Sequence, residues 1–90
     1  MRPRAILADD HVMVAQGLGR LLGEAAELVA VVNDGRQLVE SARTLRPDII
    51  VSDLTMPVMS GLDAMRQLKA EGSNPRFIFL TIHTDARLAA

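Results

Sequence analysis

Four short apolar runs, separated by stretches in which apolar residues recur at helical spacing, constrain the fold of this chain most strongly. The runs cover residues 4–8, 28–32, 48–52 and 77–80. Each run has the length of a strand, and the alternation with amphipathic stretches is typical of buried parallel strands joined by helices. The repeated strand–helix order therefore predicts an α/β fold with a parallel sheet and right-handed crossovers.

Start and stop signals place the predicted helices between these strands. Asp34 is a candidate N-cap for the second helix, which must end before Pro47. Ser60, followed three residues later by Asp63, resembles a capping box at the start of the third helix. The apolar stripe of that helix is predicted to comprise Leu62, Met65 and Leu68. Asp85 is a candidate cap for a fourth helix near the end of the sequence.

Composition and charge exclude several classes of function. The chain has 90 residues, enough for one domain, and ten basic residues against eleven acidic ones leave a net charge of -1. Such a balance argues against nucleic-acid binding through bulk charge. Cysteine is absent, which excludes disulfides and thiolate chemistry. With no apolar run near the ~20 residues of a membrane helix, and no signal peptide, we expect a cytoplasmic location and no membrane partner.

Three carboxylates follow two of the predicted strands. Asp9 and Asp10 come directly after residues 4–8, and Asp53 follows residues 48–52. The carboxyl ends of parallel strands meet at one edge of the sheet, where ligands bind. Carboxylates ~4 Å apart repel by roughly 4 kcal/mol at an effective dielectric constant near 20. Either raised pKa values or a bound cation must offset that repulsion, and Mg2+ suits oxygen ligands of this kind.

Each of these residues also has a simpler interpretation. An aspartate after a strand often only caps a helix, and Asp53 could be a turn residue before Pro57. Two capping acids are not needed at one helix start, however, which favours a functional role for Asp9 and Asp10 together. Two isolated histidines, of which His11 is one, are a weak metal signal.

Taken together, these motifs resemble those of a bacterial response-regulator receiver domain. The segments that carry the resemblance are 6–11, 48–57 with Ser60-Gly61, and 79–81. The Asp-Asp-His start and the helix with Gly17-Leu18 and Leu21-Leu22 resemble the NarL/FixJ subgroup, whose receivers precede a LuxR-type helix-turn-helix output domain. The resemblance implies a flavodoxin-like (CheY-like) α/β/α fold of three layers with strand order 2-1-3-4-5.

The resemblance also implies roles for individual residues. Asp53 would accept a phosphoryl group from a sensor histidine kinase and so control a DNA-binding output domain in transcription regulation. The implied Mg2+ ligands are Asp10, Asp53 and the backbone carbonyl of Thr55, with Asp9 acting through water. Thr81 would be the switch residue whose hydroxyl donates to the phosphoryl group. Pro57 and Gly61 are expected to shape the loop after Asp53 by holding it out of regular structure.

The chain departs from the family pattern at its C-terminal end. The pattern includes a lysine after a fifth strand, but the only lysine here is Lys69, within the third predicted helix. The expectation is therefore a receiver domain over residues 1–90 that is incomplete at its C-terminus, with strand order 2-1-3-4 and no catalytic lysine. Without a fifth strand, the strand at 77–81 would be an open edge, so we expect a homo-oligomer.

Two other functions stay open on the sequence. A receiver-like module could signal through protein contacts without phosphorylation, which the missing lysine favours and the intact acids oppose. Asp53-Leu54-Thr55 after a strand also superficially resembles the start of a Mg2+-dependent aspartyl-phosphate phosphohydrolase of the haloacid-dehalogenase type. Those enzymes usually carry a second acid where this chain has Thr55.

Overall fold

The computed structural model describes residues 2–80, which form a four-stranded parallel sheet with helices on both faces. The elements are β1 (Arg4–Ala8), α1 (Val12–Ala25), β2 (Glu27–Val32), α2 (Gly35–Leu45), β3 (Ile49–Asp53), α3 (Gly61–Ala70) and β4 (Arg76–Leu80). The strand order β2-β1-β3-β4 confirms the predicted flavodoxin-like order. Thr81, the predicted switch residue, and the predicted helix capped by Asp85 lie outside the described residues.

The central strands β1 and β3 bury both of their faces, as expected for a parallel sheet covered on two sides. Ile6 and Ala8 of β1 pack into the larger apolar cluster together with α2 and α3. Leu7, between them, points to the opposite face and packs with Ala15 of α1 and Val51 of β3. This alternation within one buried strand creates the three-layer arrangement that was predicted.

Helix α3 approaches the sheet more closely than its sequence indicated. Ala64 and Leu68 are fully buried, whereas the predicted stripe residues Leu62 and Met65 are only half-buried, so the predicted stripe was partly wrong. The cause is the glycine at the start of the helix. A Cβ at Gly61 would overlap the carbonyl oxygen of Asp53, so the backbone of α3 lies directly against the end of β3. At that distance a small residue packs against the strand, and larger neighbours turn outward.

The predicted helix caps are confirmed in their main contacts. The carboxylate of Asp34 accepts a 2.8 Å hydrogen bond from the backbone N–H of Gln37, and the Ser60 hydroxyl accepts one of 3.1 Å from that of Asp63. The Asp63 carboxylate accepts instead from Arg66, one turn further along the helix. Ser60 is therefore an ordinary N-cap, which fixes where the loop after β3 ends and α3 begins.

Arginines satisfy helix ends at the amino edge of the sheet, the edge at which the strands begin. Arg2 donates to the carbonyl oxygens of Gly23 and Ala26, at the end of α1. Arg4 donates to that of Leu45, at the end of α2. A cation at a helix C-terminus satisfies carbonyls that lack helical partners and complements the helix dipole. The basic start of the chain is thus a structural feature.

One side-chain ion pair also joins α2 to the end of α3 at this edge. Arg43 makes two hydrogen bonds to the carboxylate of Glu71, one of them 2.9 Å from Nε to Oε1. Both side chains of the pair are partly exposed.

No helix within residues 2–80 has the length and apolar character needed to cross a membrane. The longest, α1, has 14 residues.

Candidate functional site

The three predicted acids meet at the carboxyl edge of the sheet. Strands β1 and β3 are parallel neighbours with Ala8 opposite Ser52, so the residues that follow Ala8 lie beside Asp53. Asp9, Asp10, His11 and Asp53 each offer one ligand atom, and these atoms all lie within 4.8 Å of one another. The connections run in opposite directions from β1 and β3, which makes this edge the topological switch point of the sheet. We call this cluster of four residues the acidic pocket.

Two of the carboxylates in the acidic pocket are buried. Asp9 is 2% exposed and Asp53 is 8% exposed, while the side chain of Asp10 is 28% exposed. Oδ1 of Asp9 accepts a 2.8 Å hydrogen bond from the backbone N–H of His11, so this acid does support the start of α1. Oδ2 of Asp9 and Oδ1 of Asp10 are nevertheless buried without a hydrogen-bond partner. Buried carboxylate oxygens of this kind normally have a partner, and their lack of one points to a cation.

The imidazole of His11 lies at the mouth of the acidic pocket, with its side chain 70% exposed. Its Nδ1 is 3.1 Å from Oδ1 of Asp10, 3.4 Å from Oδ1 of Asp9 and 4.0 Å from Oδ2 of Asp53. A role for this histidine was not predicted, because two isolated histidines are a weak metal signal. Its position directly after two strand-end acids was the signal that could have placed it here.

Burial and like charge shift the titration of Asp53. Desolvation raises the pKa of Asp53 to about 7, and a shared hydrogen bond with Asp9 and the charges of Asp9 and Asp10 act in the same direction. His11 acts in the opposite direction. The pocket therefore has more negative charge than its own residues can neutralise, which is the electrostatic pattern expected of a site that binds cations.

The residues present fit a hard divalent cation. They supply several carboxylate oxygens at one place, two of which have no hydrogen-bond partner. Thr55 lies in the exposed part of the loop after β3, and its carbonyl oxygen as a ligand stays a prediction. The water-mediated role of Asp9 also stays a prediction. Lys69 lies at the opposite edge of the sheet, where it lines a cavity beside Asn74, as expected from its position late in α3.

The loop between β3 and α3 is shaped by tight contacts that were only partly predicted. Gly61 closes it with a 2.9 Å backbone hydrogen bond to the carbonyl of Leu54. Met59 donates a 2.7 Å hydrogen bond to the carbonyl of Pro57, so that Val58 between them has φ of 70°. That φ is strained for a β-branched residue. Gly35 supports the loop from α2, since a Cβ there would overlap the carbonyl oxygen of Met59. The roles of Val58 and Gly35 were missed.

A doubly wound parallel sheet with acids at its switch point defines this chain as a flavodoxin-like domain with an acidic pocket. Residues 5–90 match the response regulator receiver domain family, and the chain belongs to that family. The predicted resemblance is thereby confirmed.

Two relatives with curated descriptions are response regulators. The chain is 37% identical over 86 residues to a nitrate/nitrite response regulator protein homolog of Haemophilus influenzae, a match that covers 93% of this chain and 41% of that protein. It is 38% identical over 85 residues to the DNA-binding response regulator MtrA of Mycobacterium tuberculosis, covering 94% and 37% of the two chains. The chain thus spans about two fifths of the length of these relatives.

A solved structure agrees with the fold. The chain superimposes with a TM-score of 0.85 on a two-component response regulator of the LuxR family from Aurantimonas sp., at 31% identity. The superposition covers 99% of this chain and 65% of that one. The predicted assignment to response regulators of two-component systems is therefore confirmed at the level of the receiver domain.

Proposed function

We propose that Asp53 accepts a phosphoryl group from the phosphohistidine of a sensor histidine kinase, in a Mg2+-dependent reaction that controls a DNA-binding output domain. The observation that carries this proposal is the placement of Asp53. It is buried at the end of β3 and faces Asp9 and Asp10, whose oxygens Oδ2 and Oδ1 lack hydrogen-bond partners. Such a group of acids is suited to hold a cation next to a nucleophilic carboxylate.

The residues that would hold Mg2+ are those of the carboxyl edge. Asp10 and Asp53 would contribute carboxylate oxygens, Thr55 its backbone carbonyl, and Asp9 a second layer of charge through water. When bound, Mg2+ supplies the positive charge that offsets the carboxylates and the oxygens of the incoming phosphoryl group.

Asp53 supplies the nucleophile. One carboxylate oxygen forms a bond to phosphorus, the bond between phosphorus and the donor imidazole nitrogen breaks, and its electron pair stays on that nitrogen. The reaction needs Asp53 ionised. Because burial and the neighbouring carboxylates raise the pKa of Asp53 to about 7, a cation that offsets those charges would also favour the ionised nucleophile. Strand β3 fixes the carboxylate at the sheet edge, so that the donor must approach from the loop side.

Thr81 is proposed as the residue that detects the phosphoryl group. Asp53 lies opposite Leu80 in the β3–β4 ladder, and Thr81 is the next residue in the chain. A hydroxyl that donates to a phosphoryl oxygen on Asp53 would bias the segment after β4 between two arrangements. Thr81→Ala should then be phosphorylated normally yet fail to activate output, as measured by DNA binding of the phosphorylated full-length protein. Full activation of this variant would contradict the role.

The remaining partners are proposed from the relatives. The M. tuberculosis relative is described as DNA-binding, which supports an output domain that binds DNA in the full-length protein. A sensor kinase as the phosphoryl donor and a cytoplasmic location complete the proposal. Self-association stays a prediction, which sedimentation of the full-length protein would test.

Phosphorylation with labelled acetyl phosphate and Mg2+ tests the central step. The full-length protein should retain stable label, Asp53→Asn should retain none, and the matched control Asp63→Asn should be labelled like wild type. Asp63 is suited as the control because its carboxylate lies exposed on α3, away from the acidic pocket. Continuous turnover of acetyl phosphate would instead indicate a phosphohydrolase. Absence of label in a protein that binds Mg2+ would favour a phosphorylation-independent interaction module.

A further inference from the structure

We propose that His11 is a nitrogen ligand of the acidic pocket and gives it a preference for divalent transition metals such as Zn2+ over Mg2+. The proposal rests on the cation site of the proposed function and adds to it a residue that determines metal selectivity. A transition metal would be coordinated by the imidazole of His11 and the carboxylates of Asp9, Asp10 and Asp53, with Asp9 bound directly and not through water as proposed for Mg2+.

The distances within the pocket are those of ligands that share one ion. The ligand atoms of a tetrahedral Zn2+ with bonds of about 2.0 Å are about 3.3 Å apart. Nδ1 of His11 lies 3.1 Å, 3.4 Å and 4.0 Å from single carboxylate oxygens of Asp10, Asp9 and Asp53. All four ligand atoms can therefore reach a common ion with small movements of the side chains.

The backbone of His11 is held in place for this role. Its N–H donates the 2.8 Å hydrogen bond to Oδ1 of Asp9, and the side chain of Asp9 is completely buried. His11 is also the residue on which α1 begins, with extended φ and ψ of -102° and 106°. The backbone that carries the ring is thus fixed, so only the rotation of the 70% exposed side chain is lost when it binds an ion.

Ligand chemistry decides which ion gains from this arrangement. The buried oxygens of Asp9 and Asp10 that lack hydrogen-bond partners favour a bound cation, but they do not discriminate between a hard ion such as Mg2+ and a borderline one such as Zn2+. An imidazole adds little for Mg2+, which prefers oxygen ligands and retains water, but it is a preferred ligand of Zn2+ and of Co2+. The combination of three carboxylates with one imidazole therefore favours the transition metal. A protonated imidazole acting only as an internal counter-ion would give the opposite result, because it would repel every cation.

Calorimetric titration of the full chain with Zn2+ alone and with Mg2+ alone tests the proposal. His11→Ala should weaken Zn2+ binding by at least about tenfold, the lower limit for losing even an outer-shell partner of a metal site. The same change should alter Mg2+ affinity much less. His11→Gln repeats the test with a side chain of similar size, and His83→Gln removes the other histidine of the sequence as a control. Co2+ absorption spectra of the same proteins should lose the contribution of a nitrogen ligand only when His11 is changed.

Unchanged Zn2+ affinity in both His11 variants would overturn the proposal, as would a gain in affinity for both metals or a loss caused by His83→Gln. The same titrations separate this proposal from the proposed function. Wild-type protein that binds neither metal would count against the cation site as a whole. Wild-type protein that is labelled on Asp53 with Mg2+, but whose Zn2+ affinity does not depend on His11, would refute the role of His11 alone.

Discussion

The two edges of the sheet handle charge in opposite ways. At the amino edge, Arg43 is paired with Glu71 through two hydrogen bonds, and Arg2 and Arg4 donate to carbonyls at helix ends. At the carboxyl edge, by contrast, three carboxylates face one another and two of their oxygens have no partner. The difference shows that the first edge is arranged for stability and the second for binding, because only the second gains when a further ion arrives.

The contrast extends to pH. Hydrogen bonding to Arg43 holds the pKa of Glu71 below its usual value, whereas burial raises that of Asp53 to about 7. An acid whose pKa is lowered by folding contributes stability that is lost as pH falls through its pKa in the folded protein. An acid whose pKa is raised by folding contributes stability that is present below its pKa in the unfolded chain. That stability is lost as pH rises through its pKa in the folded protein. The two edges should therefore respond to pH with opposite signs.

The largest expected effect on stability is that of the Asp53 charge, measured in EDTA so that no metal is bound. Its pKa rises from 3.8 to about 7 on folding, so wild-type stability in EDTA should fall as pH rises through this range. Between pH 5 and pH 8 the loss is roughly 3 kcal/mol, and Asp53→Asn should remove that slope and be the more stable protein at pH 8. Urea unfolding at both pH values measures the difference. Identical slopes in the two proteins would show that Asp53 is not the perturbed group.

Mg2+ gives the matching control for that measurement. A cation that binds only the folded state should restore wild-type stability at pH 8, by an amount that grows with the logarithm of its concentration above Kd, and should do so much less in Asp53→Asn. Equal stabilisation of the two proteins would place the ion elsewhere.

The next largest effect tests how tightly the carboxyl edge is built. Gly61→Ala should destabilise the protein by about 2–3 kcal/mol, the upper part of the usual range for an overpacked site, because its Cβ overlaps the backbone of Asp53. Gly17→Ala is the matched control in α1, where a Cβ meets no atom within 4 Å. That change should stabilise the protein by about 0.5–1 kcal/mol through helix propensity. Similar unfolding midpoints for the two variants would contradict the close approach of α3 to β3.

The smallest effect is expected at the amino edge. Arg43 and Glu71 are partly exposed, with side chains 49% and 33% accessible, so solvent weakens their attraction. A double-mutant cycle with Arg43→Gln and Glu71→Gln should give a small coupling that disappears as pH falls and Glu71 is protonated. Arg36 and Glu40, an exposed pair within α2, give a reference cycle. A coupling larger than the effect of Gly61→Ala would reverse the ranking of the two edges.

Most of the fold could be predicted because it depends on patterns within single segments. Strand-end acids such as Asp9 and Asp53 had to converge once the sheet was parallel, and the caps at Asp34 and Ser60 depend on neighbouring residues only. The buried role of Ala64 could not be predicted, because it depends on how closely α3 approaches β3. Hydrophobicity alone favours larger side chains for the core than this distance allows.

The sequence could place His11 near the acids, but it could not predict how closely the imidazole approaches them, for a related reason. Its distance to the carboxylates depends on the turn that the Asp9 side chain fixes, and no periodicity records that turn. The positive φ of Val58 could not be predicted either. It depends on the contacts of Met59 with Pro57 and Gly35, and it contradicts the backbone preference of a β-branched residue.

The contact between Gly35 and the backbone of Met59 limits how receiver domains can exchange parts. A chimaera that took α2 from a relative with a larger residue at position 35 would push a side chain into the loop that follows Asp53. The start of α2 and residues 54–60 therefore form one module, although other elements separate them in the chain. Recombination between relatives, in the laboratory or in evolution, should succeed when both segments come from the same parent.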